Sequence, residues 1–267
     1  MVERQIHKNM NIKQLQHHII SHLKTVGDIL LPRQCLVCGK KLLLHERHIC
    51  IHCLADMPLT RFWEQSRNPM ADRFNSMIQN ELEAAWDEYV EKGYERYAYA
   101  CALFYYDLEG AYRQIPHQLK YQGNIAAGRY FSRMLGIKMS LSRHFNDVDC
   151  VIPVPLHRKR KWKRGYNQAE IIALGIGEVL EAEVRTDILR RTRETATQTK
   201  LSIEEKGKNV KGAFEIHRQA GDFRHILIVD DIFTTGSTLF ACFQALRSIF
   251  PPSIRISVAT LGFVGGT

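Results

Sequence analysis

Apolar and polar positions follow two different patterns along this chain. Short runs of branched or aromatic apolar residues, which are typical of buried strands, occupy 97–106, 150–155, 226–229 and 254–258. Apolar residues recur every three or four positions, as on one face of a helix, at 12–26, 115–119, 126–139, 169–180 and 239–250. A further strand is predicted at 187–191. Strands that alternate with helices in this way predict an α/β fold.

The strongest candidate site directly follows the apolar run 226–229. Asp230 and Asp231 come first, and the loop behind them contains Thr234, Thr235, Gly236, Ser237 and Thr238. Backbone amides, hydroxyls and a helix N-terminus surround a phosphate well, whereas carboxylates accept hydrogen bonds from sugar hydroxyls and hold a nearby Mg²⁺. A strand end followed by a helix cap is the simpler interpretation, but capping needs only one such side chain. We therefore expect this loop to bind a ribose 5-phosphate.

No Gly-Lys-Ser/Thr follows the loop, so it is not a Walker A motif. The segment 229–238 instead resembles the 5-phosphoribosyl pyrophosphate (PRPP) loop of type I phosphoribosyltransferases. That resemblance implies that Asp230 and Asp231 contact the ribose 2′- and 3′-hydroxyls, and these two residues are our candidate catalytic residues. It also implies that residues 234–238 contact the 5′-phosphate.

Four of the seven cysteines lie close together near the start of the chain. They form two Cys-x-x-Cys pairs, Cys35 with Cys38 and Cys50 with Cys53, and Gly39 follows the first pair. Each pair places two thiolates on one turn, and two such turns complete a tetrahedral Zn²⁺ site. Redox-active thiols and buried cysteines are the alternatives. Because four thiolates leave no open coordination position, we predict a structural zinc site.

A strongly basic segment, 157–168, follows the apolar run 150–155. We expect a loop here, at the carboxyl end of a strand, and its candidate diphosphate contacts are His157, Arg158, Lys159 and Arg160. Such a charge run is also typical of a solvated face or of a nucleic-acid-binding patch. The pyrophosphate loop of type I phosphoribosyltransferases occupies the corresponding place, which favours the first interpretation.

Further cationic and polar residues are candidates for contacts with phosphate. Lys120 precedes a turn, although an exposed lysine is the commoner outcome. The polar stretch that ends near Asn209 is long enough to be a functional loop. Its candidate contacts, for which simple exposure is an equal alternative, are Arg190, Arg191, Arg193, Thr195 and Gln198.

Composition and charge narrow the class of protein only slightly. The 267 residues carry 37 basic and 28 acidic side chains, a net charge of +9 that suits phosphate-rich ligands or nucleic acid. No apolar stretch approaches the ~20 residues of a membrane span, and no signal peptide is recognisable. We therefore expect a cytoplasmic protein without membrane insertion, in which clustered cysteines bind metal rather than form disulfides.

Several short motifs occur in a characteristic order. After the cysteine pairs come Leu-Lys-Tyr-x-Gly, Pro-Val-Pro-Leu-His-Arg-Lys-Arg, Arg-Gly-Tyr-Asn-Gln-Ala, Thr-x-x-Gln-Thr-x-Leu-Ser, Asn-Val-x-Gly-Ala-Phe and the PRPP-like loop. Taken together over about residues 28–262, they resemble the ComF family, which is associated with DNA uptake in natural transformation. The resemblance implies a type I phosphoribosyltransferase-like parallel sheet flanked by helices, with a small N-terminal four-cysteine zinc module.

We expect four parts: an amphipathic helix in 1–30, the zinc module in 31–60, a helical connector in 61–97 and the phosphoribosyltransferase-like domain in 98–267. One hypothesis is an enzyme that transfers 5-phosphoribosyl from PRPP, with Mg²⁺, to an unidentified nucleophile and releases pyrophosphate. The alternative is a non-catalytic PRPP sensor or DNA-handling competence factor, whose partner is single-stranded DNA or a competence helicase. Fold alone does not decide between them.

Overall fold

The computed structural model describes residues 33–84, 95–192, 212–218 and 221–265. The predicted helix in 1–30, part of the predicted connector, and the candidate contacts Arg193, Thr195 and Gln198 lie outside the described residues. The chain divides into two compact units, Met1–Asp56 and Met57–Thr267.

The larger unit is built on a parallel sheet. Its strands are β1 (Ala100–Tyr105), β2 (Cys150–Pro153), β3 (Glu183–Val184), β6 (His225–Phe233) and β7 (Arg255–Phe263), in the order β1-β7-β6-β2-β3. All pairs in this sheet are parallel. Ile226 to Val229 are fully buried, as expected for a strand that is covered on both faces. The predicted α/β class with a parallel sheet is confirmed.

Helices cover the sheet. They are α2 (Pro69–Ala84), α3 (Gln114–Tyr121), α4 (Ile125–Ser140), α5 (Arg158–Arg164), α6 (Gln168–Leu180) and α7 (Ser237–Arg247), with short 3₁₀ turns at Phe62–Glu64 and Ala111–Arg113. The pairs α4 with α6 and α2 with α7 pack against each other. In the second pair, Phe74 meets Phe240 and Phe243 edge to face. A separate antiparallel hairpin consists of β4 (Leu189–Arg191) and β5 (Phe214–Ile216).

Three local predictions differ from the structure. The strand predicted to end at Val229 continues to Phe233, because β7 continues beside it and pairs Asp230 with Thr260 and Ile232 with Gly262. The predicted strand 187–191 joins the hairpin rather than the main sheet. The loop predicted at 157–168 is wrong for its central part: seven residues, Arg158–Arg164, form α5, which ends at Gly165.

The segment expected to be a connector contributes to the core of the larger unit. Phe62, Trp63, Met70 and Phe74 are each at most 3% exposed. The Thr60 hydroxyl donates to the carbonyl of Ala102 on β1. Residues 57–84 therefore belong physically to the α/β body.

The smaller unit is described from residue 33. It contains the four cysteines and one short helix, α1 (Ile51–Ala55). Within the described parts of the chain, no helix has both the length and the apolar character needed to cross a membrane.

Candidate functional site

Asp230 and Asp231 lie near the C-terminal end of β6, where the topology of a parallel sheet favours ligand binding. Consecutive strand residues project to opposite faces, and the two carboxylates accordingly have different surroundings. Asp231 is only 5% exposed, whereas Asp230 is partly exposed. The Asp231 amide donates to Asp230 Oδ1 at 2.8 Å, so the first side chain is tied to the backbone of the second.

Asp231 is paired with a lysine from another element. Lys120, in the last turn of α3, places Nζ 2.7 Å from Asp231 Oδ2. The lysine side chain is 27% exposed and the aspartate side chain 7%, so the contact is largely shielded from solvent. The Leu-Lys-Tyr-x-Gly motif drew attention to Lys120, but no sequence pattern predicted that its partner is Asp231. The alternative that Lys120 is simply exposed to solvent is therefore wrong.

Asp230 faces a different set of charges. Burial raises the pKa of Asp230 to about 7, and the neighbouring Asp231 carboxylate adds to this rise, while Lys120 and Arg191 oppose it. The Asp230 carboxyl group therefore keeps its proton to a higher pH than an ordinary aspartic acid does.

The loop that follows β6 is a compact turn that leads into α7. Gly236 lies in the left-handed region at φ +84°, and a Cβ there would come within 2.6 Å of the Phe233 ring. Only glycine fits this position without displacing the ring. The Thr235 and Ser237 hydroxyls are 3.0 Å apart, and Thr234 is exposed. Ser237 begins α7, so the hydroxyls lie beside the backbone amides of a helix N-terminus.

A residue of the expected connector supports this loop. Arg73 on α2 donates from Nη1 to the Thr234 carbonyl at 2.9 Å, and its guanidinium lies 5.5 Å from the centre of the Phe263 ring. Sequence reasoning missed Arg73, because an arginine within a helical pattern carries no sign of its tertiary partner.

The basic segment follows the carboxyl end of β2, as predicted, although its central part is helical. The Val154 amide donates to the Val229 carbonyl at 2.9 Å, immediately before Asp230, and α5 starts four residues later. Arg160 is close enough to Arg191 of the hairpin for its charge to act on that side chain. Burial lowers the pKa of Arg191, and the charge of Arg160 lowers it further. Arg191 is also close enough to Asp230 for the two charges to act on each other.

The outer face of α5 has an unusual composition. Trp162 is 89% exposed, and it lines a shallow depression together with Arg158, Lys159 and Lys163. This face thus combines one large aromatic surface with three positively charged side chains.

The Arg-Gly-Tyr-Asn-Gln motif serves to anchor α5. The Tyr166 hydroxyl donates to the carbonyl of Leu119, the residue before Lys120. The Asn167 side chain donates to the Val154 carbonyl at 3.0 Å and accepts from the Ala169 amide at 3.1 Å, which caps α6. The motif therefore connects the basic helix, the end of β2 and the lysine-bearing helix α3.

In the smaller unit, the four predicted cysteines come together. The Sγ atoms of Cys35, Cys38, Cys50 and Cys53 all lie within 4.8 Å of one another. Gly39, at φ +72°, donates its amide to the Cys35 carbonyl at 2.9 Å and closes the first turn. This donor set and spacing fit a tetrahedral zinc ion.

Backbone hydrogen bonds stabilise the thiolate form of Cys35 in this cluster. Burial of the Cys35 thiol opposes ionisation, but hydrogen bonds from the amides of Cys38, Cys50 and Val37 lower the pKa of Cys35 to about 7. Glu46 accepts from the amides of Leu43 and Ile51 at 2.7 and 2.8 Å, which holds the chain between the two pairs. A thiolate is the form that binds metal.

Asp230 and Asp231 fit a magnesium ion less well than the four cysteines fit zinc. Carboxylate oxygens are suitable ligands, but the Lys120 ammonium group already forms an ion pair with Asp231 Oδ2. The pair therefore offers an incomplete donor set to a free ion.

Comparisons with known proteins identify homologues over part of the chain. No protein-family model matches it. Competence protein F of Haemophilus influenzae is 31% identical over 144 residues, which cover 52% of this chain and 63% of that protein. DNA utilization protein YhgH of Escherichia coli O157:H7 is 35% identical over 133 residues, or 49% of this chain and 58% of that protein.

Competence protein ComFC of Bacillus subtilis is 26% identical over 102 residues, 38% of each chain. The chain thus spans about three fifths of the length of the first two relatives. Homology to competence protein F, YhgH and ComFC confirms the resemblance inferred from the ordered motifs.

Proposed function

We propose that this chain, as a homologue of competence protein F, YhgH and ComFC, is a PRPP-binding phosphoribosyltransferase-like protein of the ComF family that acts in DNA uptake. In this proposal it transfers the 5-phosphoribosyl group from PRPP to a nucleophile and releases pyrophosphate. The names of the relatives support the process. The proposed transfer reaction is supported by the residues around Asp230 and Asp231.

One observation carries the chemical proposal. A carboxylate pair, a hydroxyl-bearing turn and a helix N-terminus follow one another at the C-terminal edge of a parallel sheet. Carboxylates suit the ribose hydroxyls, and the turn suits the 5′-phosphate. The resemblance to the PRPP loop assigns the same parts to the same groups.

The residues would act mainly by positioning and by electrostatics. Asp231 and Asp230 would accept hydrogen bonds from the ribose hydroxyls, and the loop would hold the 5′-phosphate. Arg160 and Arg191, whose charges act on each other, would stabilise negative charge on the departing diphosphate. Mg²⁺ bound with PRPP would supply further neutralisation of that charge. The cysteine cluster would hold a structural zinc ion, which takes no part in this chemistry.

Calorimetric titration with PRPP and Mg²⁺ tests the site. The double variant D230N/D231N keeps the size and most hydrogen-bonding atoms of the side chains but removes their charge. Charge-assisted hydrogen bonds contribute ~1.5–3 kcal/mol each, so we expect at least a roughly tenfold loss of affinity. The control D222N removes an exposed carboxylate that precedes β6, at the other end of the strand. Equal PRPP affinity in wild type and double variant would exclude the sugar-phosphate assignment.

Pyrophosphate release separates the enzyme from a non-catalytic sensor. The wild-type protein is offered PRPP and Mg²⁺ with adenine, guanine, orotate, glutamine, ammonia or single-stranded DNA in turn. We expect release with one of these nucleophiles. PRPP binding without release in every mixture would favour the sensor.

The outer face of α5 supports DNA handling as a second function. Trp162 offers an aromatic surface on which a base can stack, while Arg158, Lys159 and Lys163 are suited to backbone phosphates. We expect W162A to weaken binding of a labelled single-stranded oligonucleotide by roughly 5- to 100-fold, since stacking contributes ~1–3 kcal/mol per base. L141A, which removes another highly exposed apolar side chain, is the control. Unchanged oligonucleotide affinity in W162A would argue against this surface.

A further inference from the structure

We propose that Lys120 is a built-in counter-ion that keeps free divalent metal ions off Asp231, so that Mg²⁺ enters the site only together with a diphosphate. Its biological meaning rests on the proposed function, but the exclusion of metal is a property of the protein alone. It is therefore measurable without PRPP.

The position of the ammonium group carries this inference. Lys120 Nζ is 2.7 Å from Asp231 Oδ2, and the aspartate side chain is 7% exposed. The lysine arrives from the last turn of α3, and the Tyr166 hydroxyl holds that turn through the Leu119 carbonyl. The cation is thus attached to a supported element rather than to an exposed, freely moving chain.

A metal ion would have to share this carboxylate. Magnesium–oxygen distances are about 2.1 Å, so an ion that shared Oδ2 would lie within about 5 Å of the ammonium nitrogen. Two positive ions at that separation repel each other strongly in a shielded environment. Without Lys120, however, the shielded Asp231 carboxylate would carry an uncompensated negative charge that attracts a divalent ion.

A sugar hydroxyl meets no such obstacle. It is neutral, and a carboxylate has more acceptor positions than one ammonium group fills. Lys120 would therefore make Asp231 selective for hydroxyl donors over free cations. Magnesium that is already coordinated by diphosphate carries less net positive charge, and it would be tolerated beside Lys120.

Electron paramagnetic resonance of Mn²⁺ tests the inference on the full-length, zinc-loaded protein without PRPP. We expect K120M to bind Mn²⁺ at least about tenfold more tightly than wild type, because a nearby positive charge is lost. K120R keeps the charge and should behave as wild type. K120M/D231N should lose the new site. K138M, which removes a lysine of α4 outside this cluster, should not acquire one.

The outcomes are distinguishable. Mn²⁺ affinity that is equal in wild type and folded K120M would overturn the inference, as would a new site that survives in K120M/D231N. If circular dichroism shows that K120M is unfolded, K120Q supplies the same measurement with a polar side chain. Tighter Mn²⁺ binding by K120M, together with a wild type that fails to bind PRPP and Mg²⁺ by calorimetry, would support metal exclusion while overturning the proposed function.

Discussion

Arg73 links a helix near the start of the larger unit to the loop behind β6. Its hydrogen bond to the Thr234 carbonyl joins residues 161 positions apart in the chain. The same guanidinium lies over Phe263, so the side chain is positioned by the core that it touches. Its effect on ligand binding would be indirect, through the shape of the loop.

We predict that R73A weakens PRPP binding by roughly 3- to 30-fold, because one hydrogen bond from a charged donor contributes ~1.5–3 kcal/mol and only part of it acts on the ligand. Calorimetry measures the affinity, and hydrogen exchange of 234–238 should become faster. R67A is the matched control, since Arg67 is exposed and pairs with Asp72 instead. Faster exchange without any loss of PRPP affinity would show that the loop conformation does not limit binding.

His225 occupies the other end of β6. Its ring accepts or donates at both nitrogens, with Nδ1 2.7 Å from Asp147 Oδ1 and Nε2 2.8 Å from the Ser257 hydroxyl. Burial lowers the pKa of His225 and the nearby Arg255 lowers it further, although Asp147 opposes this shift. The folded protein therefore favours the neutral imidazole.

We predict that His225 makes the fold less stable as pH falls from 7 to 5. The unfolded chain takes up a proton near pH 6.5, before the folded chain does, so the stabilisation is present above that pH and is lost below it. For one proton the slope is at most about 1.4 kcal/mol per pH unit. Urea unfolding of wild type and H225Q at each pH measures it: the stability advantage of wild type should shrink towards pH 5. An advantage that is constant with pH would contradict the prediction.

At the scale of elements, the short helix α5 carries both the candidate diphosphate contacts and the exposed face proposed to bind DNA. Its first residues follow β2, next to the strand that bears the carboxylates, while Trp162 lies on its exposed side. Arg164 lies 5.8 Å from the centre of the Tyr121 ring, so the end of α5 is also attached to α3. The contact with α3 therefore helps to fix the position of the basic side chains of α5.

We predict that R158Q/K159Q/R160Q weakens the binding of PRPP more than the binding of ribose 5-phosphate, because only PRPP carries the diphosphate. Calorimetric titration of each ligand gives the two ratios. K40Q/K41Q/K138Q removes the same number of positive charges elsewhere and should affect both ligands equally. Unchanged PRPP affinity together with lost oligonucleotide binding would assign α5 to DNA alone.

At the scale of the whole molecule, the two units depend on different forces. The larger unit buries a sheet between helices, whereas the described part of the smaller unit buries few apolar side chains, among them Leu42 and Ile49. Small units of this kind rely on metal ligation for stability. We therefore expect metal binding by the cysteine cluster to stabilise the smaller unit and to have little effect on the stability of the larger one.

We predict about one zinc ion per chain, bound through Cys35, Cys38, Cys50 and Cys53. Chelation should accelerate hydrogen exchange in 33–56 while 57–84 and the sheet remain protected. The quadruple serine variant should lose the metal, whereas C242A, which changes a buried cysteine of α7, should retain it. Full zinc content in the quadruple variant would show that the metal is bound elsewhere.

Much of this architecture was predictable because it depends on neighbours in the sequence. The apolar run 226–229 is a buried strand, the three- and four-residue spacing in 126–139 is a helix, and the paired cysteines meet. Periodicity selects strands and helices locally, and a Cys-x-x-Cys turn is defined by a few residues. The order of the motifs also indicated the homologues.

Other features depend on distant residues, and no local pattern encodes them. The continuation of β6 through Asp230 is due to its pairing with β7, and the basic segment became a helix despite its charge. Phe74 and Arg73 lie in a segment expected to be a connector, yet one is in the core and the other contacts the loop. The roles of Phe74 and Arg73 depend on the side chains that surround them in the fold, and residue type alone does not reveal those roles.

The sequence by itself determined the alternation of strands and helices, the two cysteine turns and the carboxylates followed by hydroxyls, because each is a pattern of adjacent residues. Only the tertiary structure decided that Lys120 meets Asp231, that Asp230 lies among other charges, and that Arg73 supports the loop. These contacts arise when separate elements pack together. The strength of a charge depends on the burial and the partners that packing creates.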